Sequence, residues 1–418
     1  MTIQNIYQLY SNYFLVDTDT RSIRKHTIFF ALKGDNFNGN LFAEEALKKG
    51  ADYAIVDEAQ YQTNKNIILV NDVLICLQDL ATYHRKVLSI PILSLTGSNG
   101  KTTTKELINV VLSKKYKTVA TKGNLNNHIG VPLTLLSMDT TTEFGIVEMG
   151  ANHLKEIEFL CKIAKPNFGY ITNFGKAHIE GFGSVEGVIK GKSELLDYLR
   201  TTNGKIFVNP NDELQLKQSE GIHSIPFNDS LVDLNTNSFV SLSYKNIDIK
   251  SRLTGGYNYT NIAAAISIGA YFEISTTNIK EALENYTSTN NRSQIIQKDN
   301  CKIILDAYNA NPSSMIVALK SFDKLDEKNK VLVLGDMFEL GEIAAKEHQY
   351  IADLSELLDV KQVYLIGESF SKTNTKKAFK FERFSDFIKS INSKDFDNST
   401  LLIKGSRGMA LERLLNHI

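Results

Sequence analysis

Neither sign of charge is in excess in this chain: 47 Lys and Arg stand against 47 Asp and Glu among 418 residues. A nucleic-acid module usually shows its basic surplus in the total, so a nucleic-acid partner is not expected, and neither is an acidic disordered tail. No run approaches the roughly 18 consecutive apolar residues that a membrane span needs. The opening MTIQNIYQLYSNYF lacks a basic stretch, an apolar core and a small-residue cleavage site, so no secretory signal is expected. Cysteine is scarce as well. Cys76, Cys161 and Cys301 stand far apart, which excludes a disulfide framework or a thiolate zinc site and fits a reducing cytoplasm. The eight histidines include no HExxH pair, so any metal is expected on oxygen ligands.

What is present is the composition of an ordinary globular protein, 42% apolar and 22% charged, long enough for two or three domains. Three textures divide it. Residues 1–90 read as a small α/β unit, with strands at TIFFAL, DYAIVD and IILV and a helix from Val73 to Val87 that ends before Pro91. Residues 91–290 open with a strand, a Gly-rich turn and an amphipathic helix, continue through strands FGIVEM, FGYITNF and KIFVN and a hairpin-like FVSLSYKNIDIKSRL, and close on the Ala-rich helix NIAAAISIGAYF. After the polar linker STNNRSQ, residues 291–418 alternate strands (KIILDAY, KVLVLGDM, VYLIG, TLLIKGS) with helices at Pro312–Leu325, Glu342–Leu358, Phe384–Ile391 and Met409–Leu415. Buried strands separated by helices predict a parallel, doubly wound sheet whose ligands bind at the carboxyl ends of the strands. Asp306, Asp336, Gly367 and Lys404 fall there.

The most informative segment is TGSNGKTTTK, Thr96 to Lys105. Small residues at Gly97 and Gly100 let backbone N–H groups turn inward, and the following helix aims its positive end at the same point, so a polyphosphate is favoured. Lys101 would reach the β/γ-phosphates and the Thr102 hydroxyl would bind Mg²⁺. Leu95 occupies the first glycine position of the full motif. A nucleoside triphosphate site follows, though no reaction is named by it.

Other polar residues cluster where strands end. Glu148 closes FGIVE, where a second Mg²⁺ ligand belongs, though a solvated glutamate could equally sit there. Asn173, His178 and Glu180 occupy a Gly-rich turn. Lys190 and Lys192 near a helix start read first as surface lysines. DAYNANPSSM, LGDMFELG and KGSRGMALE each follow an apolar strand and have the polar density of site loops. Asn309, Asn311 and Pro312 also suit a turn and helix start. Lys404 and Arg407 put two cations at a helix N-terminal turn, which a bound anion would explain.

Taken in order, TGSNGKTT, NLNNHIGVP, EMGANH, TNFGKAHIEGFGS, DAYNANPSSM, LGDMFELG and KGSRGM resemble the ATP-dependent Mur ligases of peptidoglycan synthesis, in the branch that adds D-Ala-D-Ala. The resemblance runs from about Asp19 to Arg413 and also covers the missing first glycine. It implies three α/β domains: a small N-terminal domain for UDP-N-acetylmuramoyl-tripeptide, a central mononucleotide-binding P-loop domain, and a Rossmann-like C-terminal domain for ATP and D-Ala-D-Ala. It implies ATP activation of a carboxylate to an acyl phosphate, which an incoming amine then attacks.

Residue by residue, the resemblance puts Gly97, Ser98, Asn99, Gly100, Lys101, Thr102 and Thr103 around the ATP phosphates, with Lys101 catalytic. Thr102 and Glu148 would hold one Mg²⁺ and His178 a second metal, while Lys192 would be carbamylated by CO₂ as a metal partner. Asn258 and Asn261 match the family's HN-x-x-N segment near the adenine, with Tyr257 in place of histidine. Arg292 would contact the nucleotide across the hinge and Asp306 the ribose. Asn124, Asn126, Asn127, Asn309, Asn311, Ser314, Lys404 and Arg407 would bind substrate. In the first domain Asp19, Thr20, Arg21 and Lys33 would meet the UDP-sugar, although Asn38 and Asn40 replace the family's Asp and His. A monomer would suffice, since the site is built within one chain. Another Mur ligase, a folylpolyglutamate synthase, a non-ligating P-loop switch and an inactive scaffold are the competing readings.

Overall fold

The computed structural model describes residues 1–234 and 239–418. In the first domain four short strands pair in parallel in the order Val16–Asp17, Ile28–Phe30, Tyr53–Val56, Ile67–Leu69. Alternate residues point to opposite faces of a strand. Phe29, Ala54 and Val56 therefore pack outward on the helix Ala43–Lys48, while Ile28, Phe30 and Ile55 face the helix Val73–Leu88. That helix also packs on the central domain, and one continuous apolar cluster runs from Ile6 and Tyr10 through Leu77 and Leu80 to Val147 and Ile171. Pro91 is thus a boundary in sequence but not a loose joint.

The central sheet is wholly parallel, in the order His223–Pro226, Lys205–Val208, Phe168–Ile171, Ile92–Thr96, Phe144–Glu148, Thr118–Ala120. Both faces are covered, which is why its strands are continuous apolar runs. Ile92, Val147 and Ile171 belong to one core and Leu93, Leu95, Ile146 and Tyr170 to the other, under the helices Lys101–Leu112 and Tyr257–Tyr271. The hairpin-like stretch folds as an antiparallel three-stranded sheet of Leu231–Asp233, Ser241–Tyr244 and Ile247–Lys250.

The C-terminal sheet runs Gln294–Lys298, Cys301–Asp306, Thr400–Lys404, Lys330–Gly335, Gln362–Ile366, Phe379–Phe381. Five strands are parallel, but the first pairs antiparallel with its neighbour. The linker expected to end at Gln294 therefore feeds an edge strand directly, a hairpin closed by Asp299 with φ 48°. Met409–Leu415, expected as a helix, forms two short 3₁₀ segments separated at Ala410, whose φ of 47° breaks helical continuation. No helix among the described residues is long and apolar enough to cross a membrane.

Candidate active site between the central and C-terminal domains

The phosphate loop leaves the buried strand Ile92–Thr96 and enters the helix at Lys101. Its two glycines are required by both conformation and space. Gly97 has φ +142° and an added Cβ would stand 2.0 Å from Thr172 Oγ1; Gly100 has φ +79° and a Cβ would meet Asn261 Oδ1 at 2.7 Å. The loop is pinned from the next strand's end. Asn173 accepts the Asn99 N–H at 3.1 Å through Oδ1 and the Ser98 N–H at 3.0 Å through its carbonyl, and Ser98 Oγ donates to the Gly175 carbonyl at 2.8 Å.

Lys101 folds back so that Nζ donates to the Gly97 carbonyl at 2.7 Å. Burial, with Arg292 nearby and Glu148 opposing it, lowers its pKa to about 8. Glu148 is 1% exposed, and its Oε1 accepts from Thr102 Oγ1 at 3.2 Å and Asn126 Nδ2 at 2.8 Å. Its Oε2 is buried with no partner. A carboxylate oxygen left bare beside a threonine hydroxyl at a phosphate loop fits an oxygen-preferring divalent cation such as Mg²⁺. Among the described residues no group of three or more His, Cys, Asp or Glu is arranged for a metal, so the Thr102–Glu148 pair would leave most positions around the ion to phosphate and water.

Lys190 is exposed and Lys192 is wholly buried, so the two lysines left ambiguous by the sequence differ sharply. Lys192 Nζ donates to the Ala151 carbonyl at 3.0 Å and lies 5.0 Å from the Phe182 ring centre. Burial, and then the Lys101 charge, pushes its pKa well below the usual lysine range. Ala151 lies in the segment after Glu148 and lines the cleft, although Lys192 itself does not. His178 has φ 54° and its Nδ1 pairs with Glu339 Oε2 of the C-terminal domain, which holds that carboxyl below its ordinary range.

The cleft has a volume of about 1370 Å³ and takes its walls from both domains. Asn99 Oδ1 accepts from Asn311 Nδ2 across it at 2.7 Å, and the Lys176 N–H donates to Ser313 Oγ at 3.0 Å. Asn311 also caps the helix Pro312–Asp323 in a capping box with Ser314. Asp306 and Lys404 are register partners on adjacent parallel strands and form an ion pair of 2.6 Å. Arg292 lies over the Tyr308 ring at 3.9 Å. Asn309 and Arg407 reach the cleft as well, Arg407 paired with Glu412 at 2.7 Å.

Asn258 and Asn261 line the cleft but are committed: Asn258 donates to the Thr254 carbonyl, Asn261 to Asn258, and Thr104 to Asn261. They brace the phosphate-loop helix as much as they face a ligand. Tyr257 reaches Ser293 Oγ at 2.6 Å. Asn124, Asn126 and Asn127 also line the cleft, Asn127 capping the Ile129 and Gly130 N–H groups. The first-domain candidates lie apart from it. Asp19 and Arg21 pair with each other at 2.6 Å on the surface, the Thr20 carbonyl accepts Lys49 Nζ, and Lys33 pairs with Asp57 at 3.0 Å. From that domain only Leu74 and Gln78 reach the cleft. Sequence reasoning did not single out Glu339, Tyr308 or Ser313, although all three lie in the blocks DAYNANPSSM and LGDMFELG.

Fold and cleft together define a P-loop nucleotide-binding protein whose site is shared by two α/β domains. Residues 13–86 match the model described as Mur ligase family, catalytic domain, residues 95–269 the Mur ligase middle domain, and residues 291–407 the Mur ligase, glutamate ligase domain. The chain is 34% identical to the UDP-N-acetylmuramoyl-tripeptide–D-alanyl-D-alanine ligase of Bacillus subtilis, covering 96% of this chain and 92% of that one. The chain belongs to the Mur ligase family. Among solved structures it is similar to MurF from Acinetobacter baumannii (TM-score 0.85, 29% identity, 96% and 92% covered). It is also similar to MurF ligase from Thermotoga maritima in complex with ADP (TM-score 0.83, 26% identity, 96% of both chains).

Proposed function

We propose that this protein is an ATP-dependent ligase that joins D-Ala-D-Ala to the terminal carboxylate of UDP-N-acetylmuramoyl-tripeptide in peptidoglycan precursor synthesis. The observation that carries the reading is the single cleft in which the phosphate loop faces Asn309, Asn311, Lys404 and Arg407 of the other domain. The similarity to ligases bearing that name, one of them solved with ADP, supports it. Nucleotide substrates and buried free cysteines go with a cytoplasmic enzyme.

The chemistry divides into two displacements. A substrate carboxylate oxygen attacks the γ-phosphorus and ADP leaves, forming an acyl phosphate. The D-Ala-D-Ala amine then attacks the acyl carbon, loses a proton, and inorganic phosphate departs. Lys101 and the loop N–H groups stabilise charge on the transferring phosphoryl group. Gly97, Ser98, Asn99, Gly100 and Thr103 would surround the phosphates, and Asn258, Asn261, Arg292 and Asp306 the nucleoside side. Asn309, Asn311, Ser314, Lys404 and Arg407 would orient the dipeptide and the acyl phosphate. Asn124, Asn126 and Asn127 would meet the tripeptide, with Asp19, Thr20, Arg21 and Lys33 on the UDP side.

Thr102 and Glu148 would hold Mg²⁺, which when bound supplies charge neutralisation on the phosphates. His178, with Nδ1 engaged by Glu339, keeps Nε2 for a second metal. Lys192 is the carbamylation candidate because burial favours its neutral amine, the form that attacks CO₂. The new N–C bond forms as an amine proton leaves, and the neutral amine becomes a carboxylate-like anion.

Isotope transfer tests the acyl phosphate. With ¹⁸O in the terminal carboxylate of the tripeptide, each released phosphate should carry one labelled oxygen. Unlabelled phosphate would exclude carboxylate activation.

A further inference from the structure

Glu106 stands five residues beyond Lys101 on the same helix, about one and a half turns from the phosphate loop. Glu106 does not line the cleft, and its carboxylate is bonded to the chain that crosses between domains. Oε2 accepts the Tyr286 hydroxyl, and Oε1 accepts Asn290 Nδ2 at 2.9 Å. Both partners belong to the segment between the helix Thr276–Asn285 and the strand Gln294–Lys298, the covalent link to the C-terminal domain. In that segment Ser288 Oγ donates to the Arg292 carbonyl at 2.6 Å. Ser288 Oγ also lies 3.0 Å from Asn290 Oδ1, so a relay of contacts runs from the phosphate-loop helix to the backbone of Arg292.

Arg292 is the residue that this link carries into the cleft. Its guanidinium lies on the Tyr308 ring, and its Nε is buried without a partner. A side chain with an unmet donor is aimed by its backbone, and that backbone is fixed through Ser288, Asn290 and Tyr286 to Glu106. Lys105, the other cation near Glu106 at 3.7 Å, is already committed to the Thr121 carbonyl at 2.7 Å. The surrounding architecture sharpens the point. The first and central domains share one apolar core, whereas the C-terminal domain meets the central one through this segment and polar contacts across the cleft.

We propose that Glu106 is a positioning residue: it fastens the interdomain link to the helix that carries Lys101 and Thr102, and so sets Arg292 over the bound nucleotide. The inference rests on the cleft being an ATP site. Charge-assisted hydrogen bonds to a partly buried carboxylate are strong enough for their loss to be read kinetically.

The test is steady-state kinetics of the full chain with ATP, in parallel with direct ATP titration. Wild type would be compared with Glu106→Ala, Glu106→Gln, Tyr286→Phe, Arg292→Ala and the Glu106→Ala/Arg292→Ala pair. Glu106→Ala should raise KM for ATP about tenfold while kcat falls less than about threefold, since a lost charged hydrogen bond is of that size. Glu106→Gln, which keeps an acceptor for Asn290, should recover most of the loss. In the Arg292→Ala background Glu106→Ala should add nothing, because residues acting through one another are non-additive. Additive effects, or a Glu106→Ala enzyme with wild-type KM, would overturn the positioning role while leaving the ATP site intact. Should Glu106→Ala fold poorly, Tyr286→Phe removes one hydroxyl and must still raise KM for ATP. Failure of the wild-type protein to bind ATP would instead remove the site reading and the inference with it.

Discussion

Thr102 and Glu148 come from a helix start and a strand end 46 residues apart, and Thr102 Oγ1 donates to Glu148 Oε1 at 3.2 Å. The pair leaves the second glutamate oxygen buried and bare. Adjacent parallel strands create this meeting, since Leu95 and Glu148 are register partners. A bare buried carboxylate oxygen destabilises a protein unless something binds it, so this position exchanges stability for ligand binding.

Glu148→Gln should therefore leave the metal-free protein at least as stable as wild type. Its turnover should fall roughly 100-fold, the scale of losing one electrostatic stabiliser, and should need far more Mg²⁺. Thermal melts without Mg²⁺ and a Mg²⁺ titration of activity check both halves. A strongly destabilised variant with normal Mg²⁺ dependence would show that Glu148 is structural.

Lys101 carries a pH signature. Its folded pKa of about 8 lies below the unfolded value near 10.4, so the unfolded chain binds more protons between the two. Stability without nucleotide should rise with pH across that window, the burial cost being present in full below about pH 8. Lys101→Met should abolish this rise in denaturation curves at pH 7.5 and 9.5. Nucleotide phosphates favour the ammonium form, so ATP affinity should fall and proton uptake on binding should grow above pH 8. Affinity flat from pH 7 to 9.5 would contradict a phosphate-facing Lys101.

Lys192→Ala should cut turnover without restoration by bicarbonate, while short carboxylic acids restore part of it by supplying the missing carboxylate. In wild type, depletion of CO₂ should lower activity reversibly. Full activity of the variant would remove the carbamate.

Closure across the cleft is the fourth expectation. Asn99–Asn311 and Lys176–Glu347 (3.1 Å) are polar contacts between the domains, and no apolar cluster of the described residues spans them. Such interfaces permit relative motion when ligands come and go. Small-angle scattering should change between the free protein and the protein with ATP analogue and UDP-tripeptide. Superimposable curves would count against it.

The phosphate loop was legible because its signal is local: one strand, two glycines and one helix start in consecutive residues. Glu148 was legible only in part, since its strand end was visible but its orphaned oxygen depends on Thr102 and Asn126. Residue type alone did not separate Lys192 from Lys190; the family resemblance picked Lys192, and the helix Val185–Thr201 turns that residue inward. The Glu339–His178 pair and the Glu106–Tyr286 contact join residues 161 and 180 apart, and no spacing rule encodes such meetings. The edge strand Gln294–Lys298 was missed because its burial is only partial, which blurs the apolar run that marks inner strands. Zero net charge proved compatible with an anion cleft. Lys101, Arg292, Lys404 and Arg407 gather around it while the balancing acids are distributed elsewhere and within it.

The most direct test of the central claim is phosphate release from ATP with UDP-N-acetylmuramoyl-tripeptide and each candidate amine, with the product weighed by mass spectrometry. Release should require both the tripeptide and D-Ala-D-Ala, and the product should gain the dipeptide's mass less one water. Release that ignores the dipeptide and depends on glutamate or another single amino acid would contradict the account.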